Sequence, residues 1–223
     1  LVAQERVRDE LLEILSGSQA QASLQLMDGL GLLCVIIPEL KLSKGVTQPN
    51  EHYWDVFTHL IQTVGKLELI LCRNDSTSDS VLNDLRSFAV MKEYFEDSIG
   101  DGYDRRVLLK LAGLLHDIGK PVTKTVEDNG RIRFLGHNLE GENLAENVMK
   151  RLRFSNKSIS HVKMLIRHHL RPTQMSSKHD MPSRRAIYRY RRDVGSVAAD
   201  VLFLNLADYL AARGPMMEQS QWA

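Results

Sequence analysis

The chain has 223 residues, 43% hydrophobic and 26% charged, with a formal net charge of +1. Those values describe a globular chain long enough for one sizeable core, and any basic surface has to be local. Two cysteines in apolar surroundings, Cys34 and Cys72, exclude a disulfide framework and a CxxC metal site, and they fit a reducing cytosol. The longest apolar run, 32–37, is far short of the roughly 20 residues that cross a bilayer, so a cytoplasmic chain with no membrane partner is expected. No signal peptide is visible, and a start at Leu1 rather than Met leaves room for a longer parent chain.

Residues 2–15 put Val7, Leu11, Leu12, Ile14 and Leu15 on one helical side, with charges opposite. Gly17 and Ser18 interrupt this pattern, and Ser18 is placed to N-cap a helix over 19–29. A short apolar piece, 30–38, ends at Pro38. The polar stretch 41–51, with Gly45, Pro49 and Asn50, reads as a loop. It divides the chain into a helical extension over 1–48 and a main domain over 50–214. Residues 53–73 form a long helix whose inward face runs through Val56, His59 or Leu60, Thr63 and Leu67.

A polar loop is expected over 74–80, a helix over 81–95, a loop over 98–103 and a helix over 104–118. In 122–135, two alternating runs flank Asp128-Asn129-Gly130, a strong hairpin signal. An amphipathic helix follows over 138–152, then one over 156–169, capped by Ser155 and ended by Pro172. Residues 182–192 are short and arginine-rich, and 196–213 form an apolar helix stopped by Gly214-Pro215. The expected fold is all-α, a helical bundle with one short β-hairpin.

The chemistry centres on LAGLLHDIGK, residues 111–120. His116 and Asp117 end an apolar run, where burying them requires partners. A divalent metal suits imidazole nitrogen and carboxylate oxygen together; a core histidine hydrogen-bonded to an aspartate is the plain alternative. Gly119 then lets the backbone turn. His59, His137, the pair His168-His169 and Asp208 also lie on or beside predicted helices, mostly among apolar neighbours. Convergence on one metal centre gives them a common explanation. Lys120, beyond the dyad, is placed to meet a phosphate oxygen. Arg184, Arg185, Arg189, Arg191 and Arg192 form a local basic patch, either a solvated face or a contact for phosphate or RNA. His52, His161 and His179 fall in polar or loop settings and receive no ligand role.

The order His59, His116-Asp117, Asp208 resembles the signature of the HD-domain superfamily of metal-dependent phosphohydrolases in its HDIGK form. The resemblance implies an all-helical HD-domain bundle in which His59, His116, Asp117 and Asp208 hold one divalent metal. It also implies a second metal on His137 and a later histidine in two-metal members, with Asp117 bridging. LIRHHLRP is similar to the family's later histidine stretch and makes His169 that ligand, His168 the variable neighbour. Mn, Fe, Ni, Co, Zn and Mg are the candidate ions. The segments ERVRDELLEIL, GLLCVIIPEL, QPNEHYWDVFTH and FLGHNLEGENLAENVMKRLRFS resemble the HD-containing body of bacterial tRNA nucleotidyltransferase and poly(A) polymerase-type proteins. The Gly-Ser motif and paired aspartates of those proteins' catalytic heads are absent from this sequence, as is the GYP segment of cyclic-di-GMP phosphodiesterases.

The leading expectation is a phosphohydrolase acting on a nucleotide, cyclic phosphate or RNA-end phosphoester, with Asp117 and Lys120 as its catalytic residues. The alternatives are a tRNA-binding body of a larger nucleotidyltransferase and a two-metal oxygenase. Oligomeric state is left open.

Overall fold

A computed structural model describes residues 2–71, 91–175 and 181–214. Helix α1 (Gln4–Ser16) buries Leu11, Leu12 and Leu15, the stripe its sequence spacing defines. Helix α2 (Ala20–Gly29) starts without the expected help from Ser18: its N-cap is Gln19, with no side-chain capping bond. The first amides of α2 donate instead to a carboxylate distant in sequence. Ala20 N reaches Glu68 Oε1 at 2.5 Å and Gln21 N reaches Glu68 Oε2 at 3.1 Å. Lys110 closes the corner, donating to Gly17 O at 2.8 Å and pairing with Glu68 at 3.4 Å. The apolar piece after α2 folds as α3 (Leu33–Ile36) and a 3₁₀ turn (Pro38–Ser43).

Helix α4 (Val56–Leu71) buries Val56, Leu60, Val64 and Leu67, and it buries His59 with them. The expected loop over 74–80 and most of the expected helix over 81–95 lie outside the described residues; α5 (Lys92–Glu96) follows them. The stretch over 98–103 is more ordered than a loop. Ser98–Gly100 (β1) pairs antiparallel with Tyr103–Asp104 (β2) across a turn containing Asp101 and Gly102, both at positive φ. Helix α6 (Arg105–Leu115) follows, capped by Asp104 Oδ1, which accepts from Val107 N at 3.2 Å. A short turn of helix, α7 (Lys120–Thr123), leads into the hairpin of β3 (Lys124–Val126) and β4 (Ile132–Phe134). Its register sets Lys124 opposite Phe134 and Val126 opposite Ile132, and Gly130 takes φ 80° at the turn.

Helix α8 (His137–Arg151) enters through Gly136, at φ 77°, a value that favours glycine. Helix α9 (Asn156–His168) is capped by Ser155, as its sequence predicts. Pro172 does not end it. The helix stops at the histidine pair, and Pro172 sits inside the next short helix, α10 (Arg171–Met175). The arginine-rich α11 (Arg184–Val194) breaks at Gly195, φ 56°, before a 3₁₀ turn (Gly195–Val197) and α12 (Ala198–Ala212).

Helix α4 packs against α6 and α12, α6 packs against α9, and α9 covers α8. Helices α1 and α2 lie on α6 and α4, so one continuous core runs from Leu11 through Leu60 and Leu111 to Leu210. The fold is all-α with two small two-stranded sheets among the described residues.

Candidate metal centre

Three core helices meet where the histidines and aspartates lie. His59 comes from the first turn of α4, His116 and Asp117 follow the last residue of α6, and Asp208 lies on α12. His59 Nε2 is 3.0 Å from Asp208 Oδ1 and 3.5 Å from Asp117 Oδ2. His116 Nε2 is 3.2 Å from Asp117 Oδ2 and 3.6 Å from Asp208 Oδ1. Ligands held at 2.0–2.2 Å around one ion stand about 2.8–3.6 Å from each other, the tetrahedral and octahedral edge lengths. Four of the six pairs therefore have the spacing of one coordination shell, and all four atoms lie within 4.8 Å of one another.

A second set shares Asp117. His137 Nε2 lies 3.2 Å and His169 Nε2 3.7 Å from the other carboxylate oxygen, Oδ1, and the two imidazole nitrogens are 3.4 Å apart. Asp117 thus turns one oxygen to each group, the arrangement of a bridging carboxylate. His168, its neighbour's near twin in sequence, belongs to neither set.

Backbone carbonyls orient three of the rings. His116 Nδ1 is 2.9 Å from Gly113 O, His137 Nδ1 2.7 Å from Phe134 O, and His169 Nδ1 2.7 Å from Ile166 O. Each carbonyl is placed to accept a hydrogen bond from Nδ1–H, which turns Nε2 inward as the nitrogen a metal would take. Several inward atoms lack any hydrogen bond: His116 Nε2 and both Asp117 oxygens. Burial works against ionising Asp117, yet His116 and Lys120 hold its carboxyl well below the usual range. Burial equally opposes a charged His116, but Asp117 and Asp208 reverse that and its pKa stands at about 10. His169, buried and next to His116, is pushed down to about 4. Two carboxylates facing four imidazoles in a buried space call for positive charge between them, and a divalent cation fits that demand.

The remaining site expectations change in detail. Lys120 lines the cavity beside the centre; its Nζ lies 2.6 Å from Asp117 Oδ2, off-line for a hydrogen bond, and donates to Gln48 Oε1 at 2.7 Å. Gly119 is not needed for a turn, since φ −81°, ψ −13° suits any residue. It is needed for closeness, because a Cβ there would stand 2.3 Å from His137 O and 2.5 Å from Gly141 N. That contact holds α8, and with it His137, against the dyad. His52 is partly buried in the wall, its ring edge-on to His59 at 5.4 Å. Burial and then Lys120 push its pKa down to about 4. His161 is not in a polar loop setting; it is buried on α9 beside Asp200. The only sequence signal for that was the spacing of its apolar neighbours Ile159, Val162 and Leu165. His179 lies outside the described residues.

A cavity of about 450 Å³ opens onto Asp117, His137, His169 and Asp208. Its mouth carries Arg133, Phe134, Tyr209 and Arg213. Arg133 pairs with Glu127, and the Arg213 guanidinium lies over the Tyr209 ring at 5.1 Å.

An all-helical bundle that gathers a histidine, a His-Asp dyad and a distant aspartate into one buried shell defines a histidine–aspartate metal-binding class. The chain belongs to the HD domain family, which it matches over residues 56–213. Residues 1–43 match the family described as probable RNA and SrmB-binding site of polymerase A. Among curated proteins, the chain is 32% identical over 214 residues to the A-adding tRNA nucleotidyltransferase of Deinococcus radiodurans, covering 96% of this chain and 41% of that one. It is 29% identical over 224 residues to the CC-adding tRNA nucleotidyltransferase of Thermus thermophilus, covering 100% and 42%. A bifunctional uridylyltransferase/uridylyl-removing enzyme of Cereibacter sphaeroides is 27% identical over 184 residues, covering 82% of this chain and 17% of the relative. The chain thus spans about two-fifths of the length of the tRNA nucleotidyltransferases it matches.

Proposed function

We propose that the chain is a metal-dependent phosphohydrolase acting on a nucleotide, cyclic phosphate or RNA-end phosphoester. The observation that carries this reading is the pair of donor sets sharing Asp117 at the floor of an open cavity. His59, His116, Asp117 and Asp208 would hold one divalent ion, and Asp117, His137 and His169 a second, drawn from Mn, Fe, Ni, Co, Zn or Mg. An ion bound there supplies a water of pKa about 7 and neutralises charge on a phosphoryl oxygen. The chain's own residues do the rest. Gly113, Phe134 and Ile166 carbonyls orient the histidine rings, and His116 with Lys120 keeps the Asp117 carboxylate ionised. Arg133 and Arg213 at the mouth attract an anionic substrate, and the walls of Phe134 and Tyr209 suit a base beside the phosphate. The RNA-end class is favoured by the relatives, whose names tie them to tRNA.

The test is a panel of mononucleotides, 2′,3′-cyclic nucleotides and RNA with a terminal phosphate, with each ion added in turn. Turnover is expected only with a divalent ion and is lost in Asp117→Ala. Turnover that survives chelation overturns the reading.

A second reading has the chain act as the tRNA-binding body of a nucleotidyltransferase, with residues 1–48 as its helical extension and 50–214 as its HD-type domain. The match of residues 1–43 to an RNA-binding family favours it, together with the exposed arginines of α11. Salt-sensitive tRNA binding with no hydrolysis of any panel member would select this reading over the first.

A further inference from the structure

The cavity over the metal centre is walled by donor-bearing side chains besides the metal ligands, and all but one of them are engaged with neighbours. Gln48 and Asp117 engage Lys120, and Glu127 engages Arg133. Asn205 donates to Thr173 Oγ1 at 2.8 Å and to His169 O at 2.9 Å. Arg213 lies over the Tyr209 ring and donates to its hydroxyl at 3.4 Å. His52 is the exception: among the described residues neither of its ring nitrogens has a hydrogen-bond partner.

The two nitrogens differ in their surroundings. Nδ1 is buried. A proton there would be a buried donor without an acceptor, which disfavours that tautomer and places the proton of a neutral ring on Nε2. Nε2, equally unbonded, is not buried, on a ring only partly covered in the cavity wall. The ring therefore offers the cavity an N–H that no protein group takes.

Backbone contacts fix where this ring stands. His52 N donates to Pro49 O at 2.9 Å, and Tyr53 N donates to Ala212 O at 2.8 Å. The residue is thus pinned on one side to its own turn and on the other to the end of α12, the helix that carries Asp208. The ring then meets His59 edge-on, with centroids 5.4 Å apart. His52 accordingly stands beside the first donor set, whereas Arg133, Phe134, Tyr209 and Arg213 lie at the mouth. A nucleotide whose base rests between Phe134 and Tyr209 would bring its phosphoryl group, not its sugar or base, to the side of the cavity that His52 walls.

We propose, on the phosphohydrolase reading, that His52 is a substrate-binding catalytic residue whose Nε2–H donates to a non-bridging phosphoryl oxygen of the bound phosphoester. Such an oxygen is an acceptor only and carries charge, which strengthens the bond. No proton is transferred; His52 holds the phosphoryl group in orientation over the centre.

The probe is inorganic phosphate, titrated by calorimetry into the zinc-loaded full chain, into His52→Phe and into His52→Gln. Phenylalanine keeps a ring against His59 and removes the donor, and the glutamine amide nitrogen reaches the place of Nε2. Phosphate affinity is expected to fall about tenfold or more in His52→Phe, the scale of one hydrogen bond to a charged group, and to recover most of that loss in His52→Gln. Zinc content is expected to stay at the wild-type level in both. The same loss and rescue are expected in kcat/KM for any phosphoester the wild type hydrolyses. Absence of phosphate binding to the wild-type chain, wild-type affinity in His52→Phe, equal loss in both variants, or loss of zinc with the ring nitrogen overturns the proposal. Phosphate binding that depends on His52, with no phosphoester hydrolysed, overturns the phosphohydrolase reading and supports the contact.

Discussion

Asp117 is the residue on which both donor sets depend, one oxygen facing each. Asp117→Asn is therefore expected to lower metal content at both positions, whereas His137→Ala or His169→Ala removes one equivalent and leaves the other. Elemental analysis reads this directly; wild-type stoichiometry in both histidine variants would leave a mononuclear site. The histidines also set an acid limit on the metal-free chain. His52 and His169 titrate at about 4 in the fold, against about 6.5 when unfolded. Between those values the unfolded chain binds more protons, so stability falls as pH drops from about 6.5 toward 4. His116 has the opposite sign: its contribution is complete below about 6.5 and is lost as pH rises toward about 10. Urea unfolding of the chelated chain across pH 4 to 9 should show a maximum within the range, and a flat profile would contradict these assignments.

At the level of elements, the crossing of the dyad turn over α8 rests on two glycines. Gly119 approaches His137 O and Gly141 N, and a Cβ on Gly141 would itself meet His116 O at 3.3 Å. Gly119→Ala has backbone, not a flexible side chain, in its way. It is expected to cost about 3 kcal/mol or more, and to move His137 off Asp117. A thermal melt with metal analysis checks both, and an unperturbed variant would show that the crossing has slack.

How much of this was legible depended on the range of each interaction. Periodicity revealed the helices because burial repeats along one element, and Asp128-Asn129-Gly130 revealed the second hairpin because a turn is local. Ser155 could be read as a cap for the same reason. Glu68 could not, since it caps α2 from 48 residues away. The pair around Asp101-Gly102 was hidden because its strands are only three and two residues long. Candidate ligands were visible as polar residues in apolar stretches. Which oxygen of Asp117 each faces, and that Lys120 leans on it, needed the assembled helices.

Across the whole molecule, charge is uneven although its sum is near zero. Helix α11 exposes Arg184, Arg185, Arg189, Arg191 and Arg192, and among the described residues only Arg192 has a carboxylate partner, Asp193. Tyr188, 69% exposed, stands among them. If this face meets RNA, the double variant Arg185→Glu, Arg189→Glu should weaken tRNA binding and make it less dependent on salt. Every phosphate that the protein no longer neutralises lowers the slope of log affinity against log salt by about 0.9 on duplex. Unchanged filter binding across salt would remove α11 from the RNA surface.

His59 and Asp208, 3.0 Å apart in the fold, are separated by 149 positions in the chain. At about 5–20 residues per second of synthesis, Asp208 leaves the ribosome roughly 7 to 30 s after His59. The His116-Asp117 dyad, complete 58 positions after His59, waits a further 91 positions for its closing carboxylate. A metal held by all four residues of the first set would therefore require the completed domain, with α12 docked.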